Sequence, residues 1–165
     1  MISVLMATYN GEKYIEEQLE SLLEQTLQNF KIFIQDDCSQ DKTIQIIQDY
    51  QRKYPDKIFF GINKKNTGSA KHNFFNLLLH YKDDYIMLCD QDDVWNADKI
   101  EITFNEMKRM EKLHGQQTPI LVHTDLTVVD SDLKVINSSF KKMLDADYSR
   151  TQLNHLLSQV EPLLM

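Results

Sequence analysis

An acidic cluster directly follows an apolar stretch near the middle of the chain. Residues 84–89 (DYIMLC) lead into Asp90, Gln91, Asp92 and Asp93. Three neighbouring carboxylates repel one another unless a cation or hydrogen-bond donors offset their charge. Such hard oxygen ligands suit Mg²⁺ or Mn²⁺, which commonly bind one or two carboxylates plus substrate phosphates. We therefore predict a site for a divalent metal and a phosphate group, with a solvated acidic turn before the next helix as the alternative.

The elements that must position this cluster alternate along the chain. Short apolar runs predict strands over 2–8, 30–35, 57–62, 84–89 and 119–124. Helical spacing predicts helices over 12–25, from a cap at Ser39 or Asp41 to before Pro55, over 70–81 and over roughly 97–113. Strands that alternate with helices indicate βαβ units and a mostly parallel sheet.

Polar side chains fall where three of these strands end. Besides the acidic cluster they are Thr8–Tyr9–Asn10 and Asp36–Asp37. Ligands of parallel sheets bind beyond the carboxyl ends of the strands, near a switch in strand order. We therefore expect these three groups to form one site.

Length and charge limit the class of protein. The chain has 165 residues, 42% of them hydrophobic, and a formal net charge of −7. One domain with a packed core is expected, and the acidic balance argues against nucleic-acid binding. No apolar run approaches the ~18–20 residues of a membrane span, and the N-terminus lacks the basic start of a signal peptide. We therefore expect a cytoplasmic protein, with peripheral membrane contact left open.

Two cysteines and a few basic residues complete the candidates for chemistry. Cys38 and Cys89 give neither a disulfide framework nor a zinc spacing, and half-buried thiols at strand ends are the favoured interpretation. The chain has no G-x-G-x-x-G and no P-loop, so a metal and isolated donors would have to hold any phosphate. The basic residues beside a candidate loop are Lys64, Lys65, Lys71 and His72, and an exposed charged loop is favoured for the first two.

Four segments in this order and separation resemble a known family. They are SVLMATYNGEKYIEEQLESLLEQT, IQDDCSQDKT, NTGSAKHNF and DYIMLCDQDDVW. Together they are similar to the donor-binding half of a family 2 glycosyltransferase, and the Asp-Gln-Asp-Asp-Val-Trp form is similar to bacterial rhamnosyltransferase-like members. The resemblance implies an α/β, Rossmann-like GT-A fold for nucleotide-diphospho-sugar transfer, with a mostly parallel sheet flanked by helices. It assigns 1–140 to a donor-binding domain and 141–165 to a short helical tail.

The resemblance also implies roles for the nucleotide-binding residues. Thr8, Tyr9 and Asn10 would form the nucleotide-base turn, with Tyr9 packing on the base. Glu12 would lie near the ribose, and Asp37 would accept a hydrogen bond from the imide N–H of uracil or thymine. The full set of nucleotide-binding residues that the resemblance implies is Thr8, Tyr9, Asn10, Glu12, Asp37, Asn66, Lys71 and Asp90.

The acidic cluster would supply the metal and sugar contacts. Asp92 would bind Mn²⁺ or Mg²⁺, and Asp90 would face the ribose or a metal-bound water. Asp93 and Trp95 would shape the donor-sugar side, although packing is an equal alternative for Trp95. Where many members have Arg before the Asn that corresponds to Asn73, this chain has His72 with Lys71 beside it, so the diphosphate contact stays open.

The chain is shorter than the resemblance leads us to expect. Inverting members place a catalytic acid in a later segment, and no convincing general base or acceptor half is seen here. Glu161 precedes a proline near the terminus, and His123 and Asp125 fit a strand end equally well. A short polar helix is expected near 149–159. Apolar residues in 119–136 and in the final segment would then be exposed and would favour a homo-oligomer.

Three functions follow from these observations. The favoured one is a metal-dependent glycosyltransferase that takes a UDP- or dTDP-sugar and an unknown glycan or glycoprotein acceptor in bacterial glycan or glycoprotein synthesis, or a form reduced to donor binding and hydrolysis. The second is a non-catalytic subunit that binds a nucleotide sugar. The third is a phosphatase of the haloacid dehalogenase type, because 85–94 fit an apolar strand followed by D-x-D-x-V.

Overall fold

The computed structural model describes residues 1–144. The chain divides into two compact units, one from Met1 to Arg109 and one that begins at Met110. The predicted boundary at 140 stays a prediction, and the helix expected near 149–159 lies outside the described residues. Within the described range, no helix combines the length and the apolar character that crossing a bilayer requires.

Four parallel strands form the sheet of the first unit. They are β1 (Ile2–Thr8), β2 (Phe30–Asp36), β3 (Ile58–Ile62) and β4 (Tyr85–Cys89), in the order β3-β2-β1-β4. All seven residues of β1 are buried, as expected for a central strand of a parallel sheet that is covered on both faces. The α/β class predicted from the alternation is confirmed.

Four helices connect or follow these strands. They are α1 (Ile15–Leu23), α2 (Thr43–Lys53), α3 (Ala70–His80) and α4 (Lys99–His114). Each of the four helices predicted over 12–25, before Pro55, over 70–81 and over 97–113 is present, with its ends shifted by a few residues. The apolar spacing of α1 places Ile15, Leu19 and Leu22 in the main core with side chains of the sheet.

Of the two residues predicted to cap α2, Ser39 does not bond to the helix, whereas Asp41 does so from one position before the cap residue. The residue in the cap position is Lys42, which makes no side-chain capping bond. The Ser39 hydroxyl instead donates to Asp36, so it is occupied at the end of β2. The Asp41 carboxylate accepts a hydrogen bond at 2.9 Å from the backbone N–H of Thr43, the first residue of α2.

The second unit does not contain the strand predicted over 119–124. Its described elements are a short antiparallel pair, β5 (Val128–Val129) and β6 (Val135–Asn137), and the single turn α5 (Phe140–Met143). Apolar content predicted the missing strand, but a strand needs a paired neighbour, and Pro119 has no N–H to donate. Exposed apolar side chains in 119–136 are observed, for example Leu121, while the expected self-association stays a prediction.

Candidate functional site

A pocket of about 540 Å³ opens at the carboxyl ends of β1, β2 and β4, beside the start of α3. β2 and β3 lie on one side of β1 and β4 lies on the other, so the chain crosses over β1 here. Loops that diverge from such a point leave a crevice between them. The lining residues are Ala7, Thr8, Tyr9, Asp37, Asn66, Gly68, Ser69, Ala70, Asn73, Asp90, Gln91 and Asp92.

The pocket gathers part of the predicted site. Thr8, Tyr9, Asp37, Asn66, Asp90 and Asp92 are predicted site residues that line it. The other predicted residues lie outside the lining, namely Asn10, Glu12, Lys71, Asp93 and Trp95. The expectation that the three strand ends meet is therefore confirmed, while the individual ligand contacts stay predictions.

The two aspartates after β2 have different environments. Asp36 is fully buried and accepts hydrogen bonds from the Thr8 hydroxyl at 2.8 Å and from the N–H and hydroxyl of Ser39 at 2.7 and 2.6 Å. Its carboxylate therefore ties the end of β1 to the loop after β2. Asp37 lines the pocket instead, so the two neighbours divide structural and pocket roles.

The Asp37 carboxylate is oriented by the protein itself. One oxygen accepts from the Asn63 amide at 2.7 Å, the other from the Thr67 hydroxyl at 2.9 Å, and the Thr67 N–H is shared between both. An ionised carboxylate offers about four acceptor sites. These three donors contact both oxygens, and they fix the orientation of the carboxylate.

Asn63 and Asn73 extend this network, and Asn73 itself lines the pocket. The Asn63 amide also donates to Asn73 at 3.0 Å, and Asn73 donates to the backbone carbonyl of Gln35 at 2.8 Å. Sequence analysis did not identify either residue as part of the site. The available signal was position alone, since Asn63 follows β3 directly in the same way as Asp37 follows β2.

Asn10 and Glu12 join the loops after β1 and β2. The Asn10 N–H donates to the Ser39 hydroxyl, and the Asn10 side chain accepts from the Gln40 N–H, both at 2.8 Å. The Glu12 carboxylate accepts from the Lys42 N–H at 2.9 Å. The structure thus gives both side chains a loop-joining contact, and the nucleotide contacts that the resemblance implied stay predictions.

Trp95 and Lys71 also lie apart from the pocket lining. Trp95 is 5% exposed and belongs to the main core, with Lys99 Nζ 4.8 Å from the centre of its ring. Packing, the alternative stated for this residue, is what the structure shows. Lys71 is exposed in the first turn of α3, next to His72.

The carboxylates of the acidic cluster disfavour one another's ionised form. The pKa of Asp90 is raised, first by desolvation and then by the charges of Asp93 and Asp92. The pKa of Asp93 is raised by desolvation and by Asp92, and Lys99 opposes this shift. Repulsion of this kind is relieved by a cation or by a proton.

We expect Asp93→Asn to stabilise the metal-free protein at neutral pH. Because its pKa is raised on folding, Asp93 contributes most to stability below its unfolded pKa of about 3.9, and this contribution is lost as pH rises through the folded pKa. The variant removes a charge that folding disfavours, so its melting temperature should be roughly 1–2 °C higher at pH 7.

The advantage of Asp93→Asn should shrink as pH falls through the raised pKa of the folded-state carboxyl, because the wild-type side chain then takes up a proton. The check is thermal unfolding in EDTA across this pH range. The control is Asp84→Asn, at the opposite end of β4, which should show no such trend. An advantage for Asp93→Asn that grows on acidification would contradict the account.

The carboxylates of the pocket fit a divalent ion that shares its ligands with a substrate. Among the described residues there is no cluster of three or more metal-binding side chains. Mg²⁺ and similar ions, however, are usually held by one or two carboxylates together with phosphate oxygens and water. Asp90 and Asp92 both line the pocket, and they provide such a partial ligand set.

Similarities to known proteins agree with this arrangement. The chain is 45% identical over 102 residues to the dTDP-rhamnosyl transferase RfbG of Shigella flexneri, a match that covers 58% of this chain and 34% of that protein. Its fold is similar to that of S. aureus TarS in complex with UDP, with a TM-score of 0.58, 24% identity and coverage of 78% of this chain and 41% of that one. It is also similar to the mannosyltransferase PcManGT from Pyrobaculum calidifontis in complex with GDP-Man and Mn²⁺, with a TM-score of 0.54, 24% identity and coverage of 60% and 30%.

The matches cover less than half the length of each of these proteins. The parallel sheet with its helices and the structural likeness confirm a Rossmann-like GT-A fold. The sequence pattern of the family described as Glycosyl transferase family 2 matches residues 3–144. The resemblance to rhamnosyltransferase-like members is therefore confirmed, and the chain belongs to glycosyl transferase family 2.

Proposed function

We propose that the pocket binds a nucleotide-diphosphate sugar, with uracil or thymine as its base, together with Mn²⁺ or Mg²⁺, and that the protein transfers the sugar to a glycan or glycoprotein acceptor. One observation carries this proposal. A single pocket joins Tyr9 and Asp37 at the ends of β1 and β2 to the carboxylates of Asp90 and Asp92 after β4. A nucleotide-diphosphate sugar has its base at one end and its diphosphate between the ribose and the sugar, and this order matches the distribution.

The base side offers a flat ring and a fixed acceptor. Tyr9 is 46% exposed, which leaves its ring accessible for packing on a base. Asp37 is 3% exposed, and it lines the pocket with a carboxylate that the protein holds in one orientation, an acceptor that suits an imide N–H. Asn66 closes this side, because its amide donates to the Asp37 carbonyl at 2.8 Å and accepts from the Gly68 N–H at 2.7 Å.

The acidic side would hold the metal and, through it, the diphosphate. A divalent ion offsets the charge that develops on a departing nucleotide diphosphate without needing a proton donor. Asp90 directly follows β4, and both it and Asp92 are exposed, so both carboxylates are accessible to a metal ion. An inverting mechanism and self-association through 119–136 are further parts of this proposal.

The experiment is a donor-turnover assay with purified chain. It follows release of nucleotide diphosphate from UDP-, dTDP- and GDP-sugars, with Mn²⁺ and with EDTA. We expect Mn²⁺-dependent release from a UDP- or dTDP-sugar, with water as the acceptor if no other is added. Release from none of the donors would contradict transferase activity of this chain and would favour the non-catalytic binding subunit. Family membership does not favour the phosphatase alternative, which would instead require a phosphoryl adduct on Asp90.

A further inference from the structure

Gln91 makes a two-point contact between the acidic cluster and the loop after β1. Its side-chain oxygen accepts from the Tyr9 N–H at 2.8 Å, and its side-chain nitrogen donates to the Tyr9 carbonyl at 3.0 Å. The parallel pairing of β1 with β4 ends at Met6 and Cys89. Beyond this point the two backbones are no longer paired in the sheet, and the side-chain amide of Gln91 supplies the hydrogen bonds that join them.

The chemistry of this contact restricts the residue type. A primary amide presents one donor group and one acceptor in a plane, as a peptide does, and among side chains only Asn and Gln have it. Asn is one methylene shorter and would not span the same gap. Glu has the same length but, when ionised, cannot donate to the carbonyl.

Gly11 provides the space that the amide occupies. A Cβ atom at this position would lie 2.4 Å from Gln91 Oε1 and 2.7 Å from Gln91 Cδ. The end of the Gln91 side chain would have to move away, and both bonds to Tyr9 would be strained or lost. The contact between the Asp-Gln-Asp segment and the loop after β1 thus depends on a glycine in the Asn-Gly turn.

We infer that Gln91 is a positioning residue that holds the nucleobase side of the pocket at a fixed separation from its metal side. This inference rests on the proposed function. Gln91 lies between Asp90 and Asp92, and its partner Tyr9 lies on the base side, so one side chain connects the two halves. Preorganisation of this kind increases affinity only for ligands that contact both halves.

The test compares UDP, which spans both halves, with uridine, which lacks the diphosphate. With Mn²⁺ present, Gln91→Ala should weaken UDP binding about tenfold, as expected for the loss of two hydrogen bonds, while uridine affinity changes less than about twofold. Gln48→Ala, on the exposed face of α2, is the matched control and should leave both affinities unchanged. Affinities are measured by calorimetry for UDP and by NMR titration for uridine.

A double-mutant cycle separates positioning from general damage. Gly11→Ala should lower UDP affinity to a similar degree. The double variant Gly11→Ala/Gln91→Ala should bind UDP no more weakly than either single variant, because both substitutions remove the same contact between Gln91 and Tyr9. Additive losses, equal losses for uridine and UDP, or an unchanged affinity of Gln91→Ala would overturn the inference. If the wild-type chain fails to bind UDP or dTDP with Mn²⁺, the proposed function fails instead.

Discussion

Asp36→Ala is expected to lower the free energy of unfolding by about 3 kcal/mol or more, and the melting temperature by about 10 °C. Asp36 is fully buried, and its carboxylate accepts hydrogen bonds from Thr8 and twice from Ser39. Hydrogen bonds to a charged group contribute about 1.5–3 kcal/mol each, and their donors would be left unpaired in the variant. The measurement is urea unfolding followed by circular dichroism.

Two controls make the Asp36 result specific. Asp36→Asn keeps one acceptor oxygen, and the hydroxyls of Thr8 and Ser39 can rotate to accept from the new amide, so it should cost clearly less than alanine. Asp56→Ala, exposed before β3, should change stability by about 0.5 kcal/mol or less. Equal stability of Asp36→Ala and Asp56→Ala would show that the link between β1 and the loop after β2 does not stabilise the fold.

Asp92→Asn is expected to lower the affinity for Mn²⁺ in the presence of UDP by about 100-fold. Loss of a partner that merely orients a metal ligand already costs about 10–100-fold, so loss of a direct ligand should cost at least as much. The amide keeps the shape of the side chain but removes its charge and one oxygen. Free Mn²⁺ is quantified from its electron paramagnetic resonance signal at increasing protein concentration.

The matched control for Asp92 is again Asp84→Asn. Asp84 immediately precedes β4 and is exposed, whereas Asp92 follows the same strand at its other end. Both variants change the net charge by the same amount, so a long-range charge effect would weaken Mn²⁺ binding in both. A loss in Asp84→Asn as large as that in Asp92→Asn would contradict a metal site at the pocket.

The sheet and the location of the pocket were predictable because their signals are local and repeated. An uninterrupted apolar run such as 2–8 marks a buried parallel strand, and polar residues directly after it mark the edge where ligands bind. Asp37 and Asp92 were found in this way, and both line the pocket. The family resemblance added roles for these positions, which the fold itself does not assign.

The remaining features depend on contacts between distant parts of the chain. Trp95 follows the acidic cluster in sequence, yet its ring packs in the core, because a turn of a few residues redirects the side chain. A glutamate such as Glu12 is favoured near the start of a helix whatever it contacts. Its hydrogen bond with the Lys42 N–H therefore could not be predicted from the sequence. The same holds for Gln91, whose bonds to Tyr9 span 82 positions. The strand predicted over 119–124 failed for a related reason, since strand formation depends on a neighbour and not on apolar content alone.

The central claim is that this pocket binds a uracil or thymine nucleotide with a divalent metal. The most direct measurement is a calorimetric titration of the wild-type chain with UDP, dTDP and GDP, in Mn²⁺ and in EDTA. We expect UDP or dTDP to bind more tightly than GDP, and Mn²⁺ to increase that affinity. Absence of binding by all three nucleotides in Mn²⁺, or binding that Mn²⁺ leaves unchanged, would contradict the account.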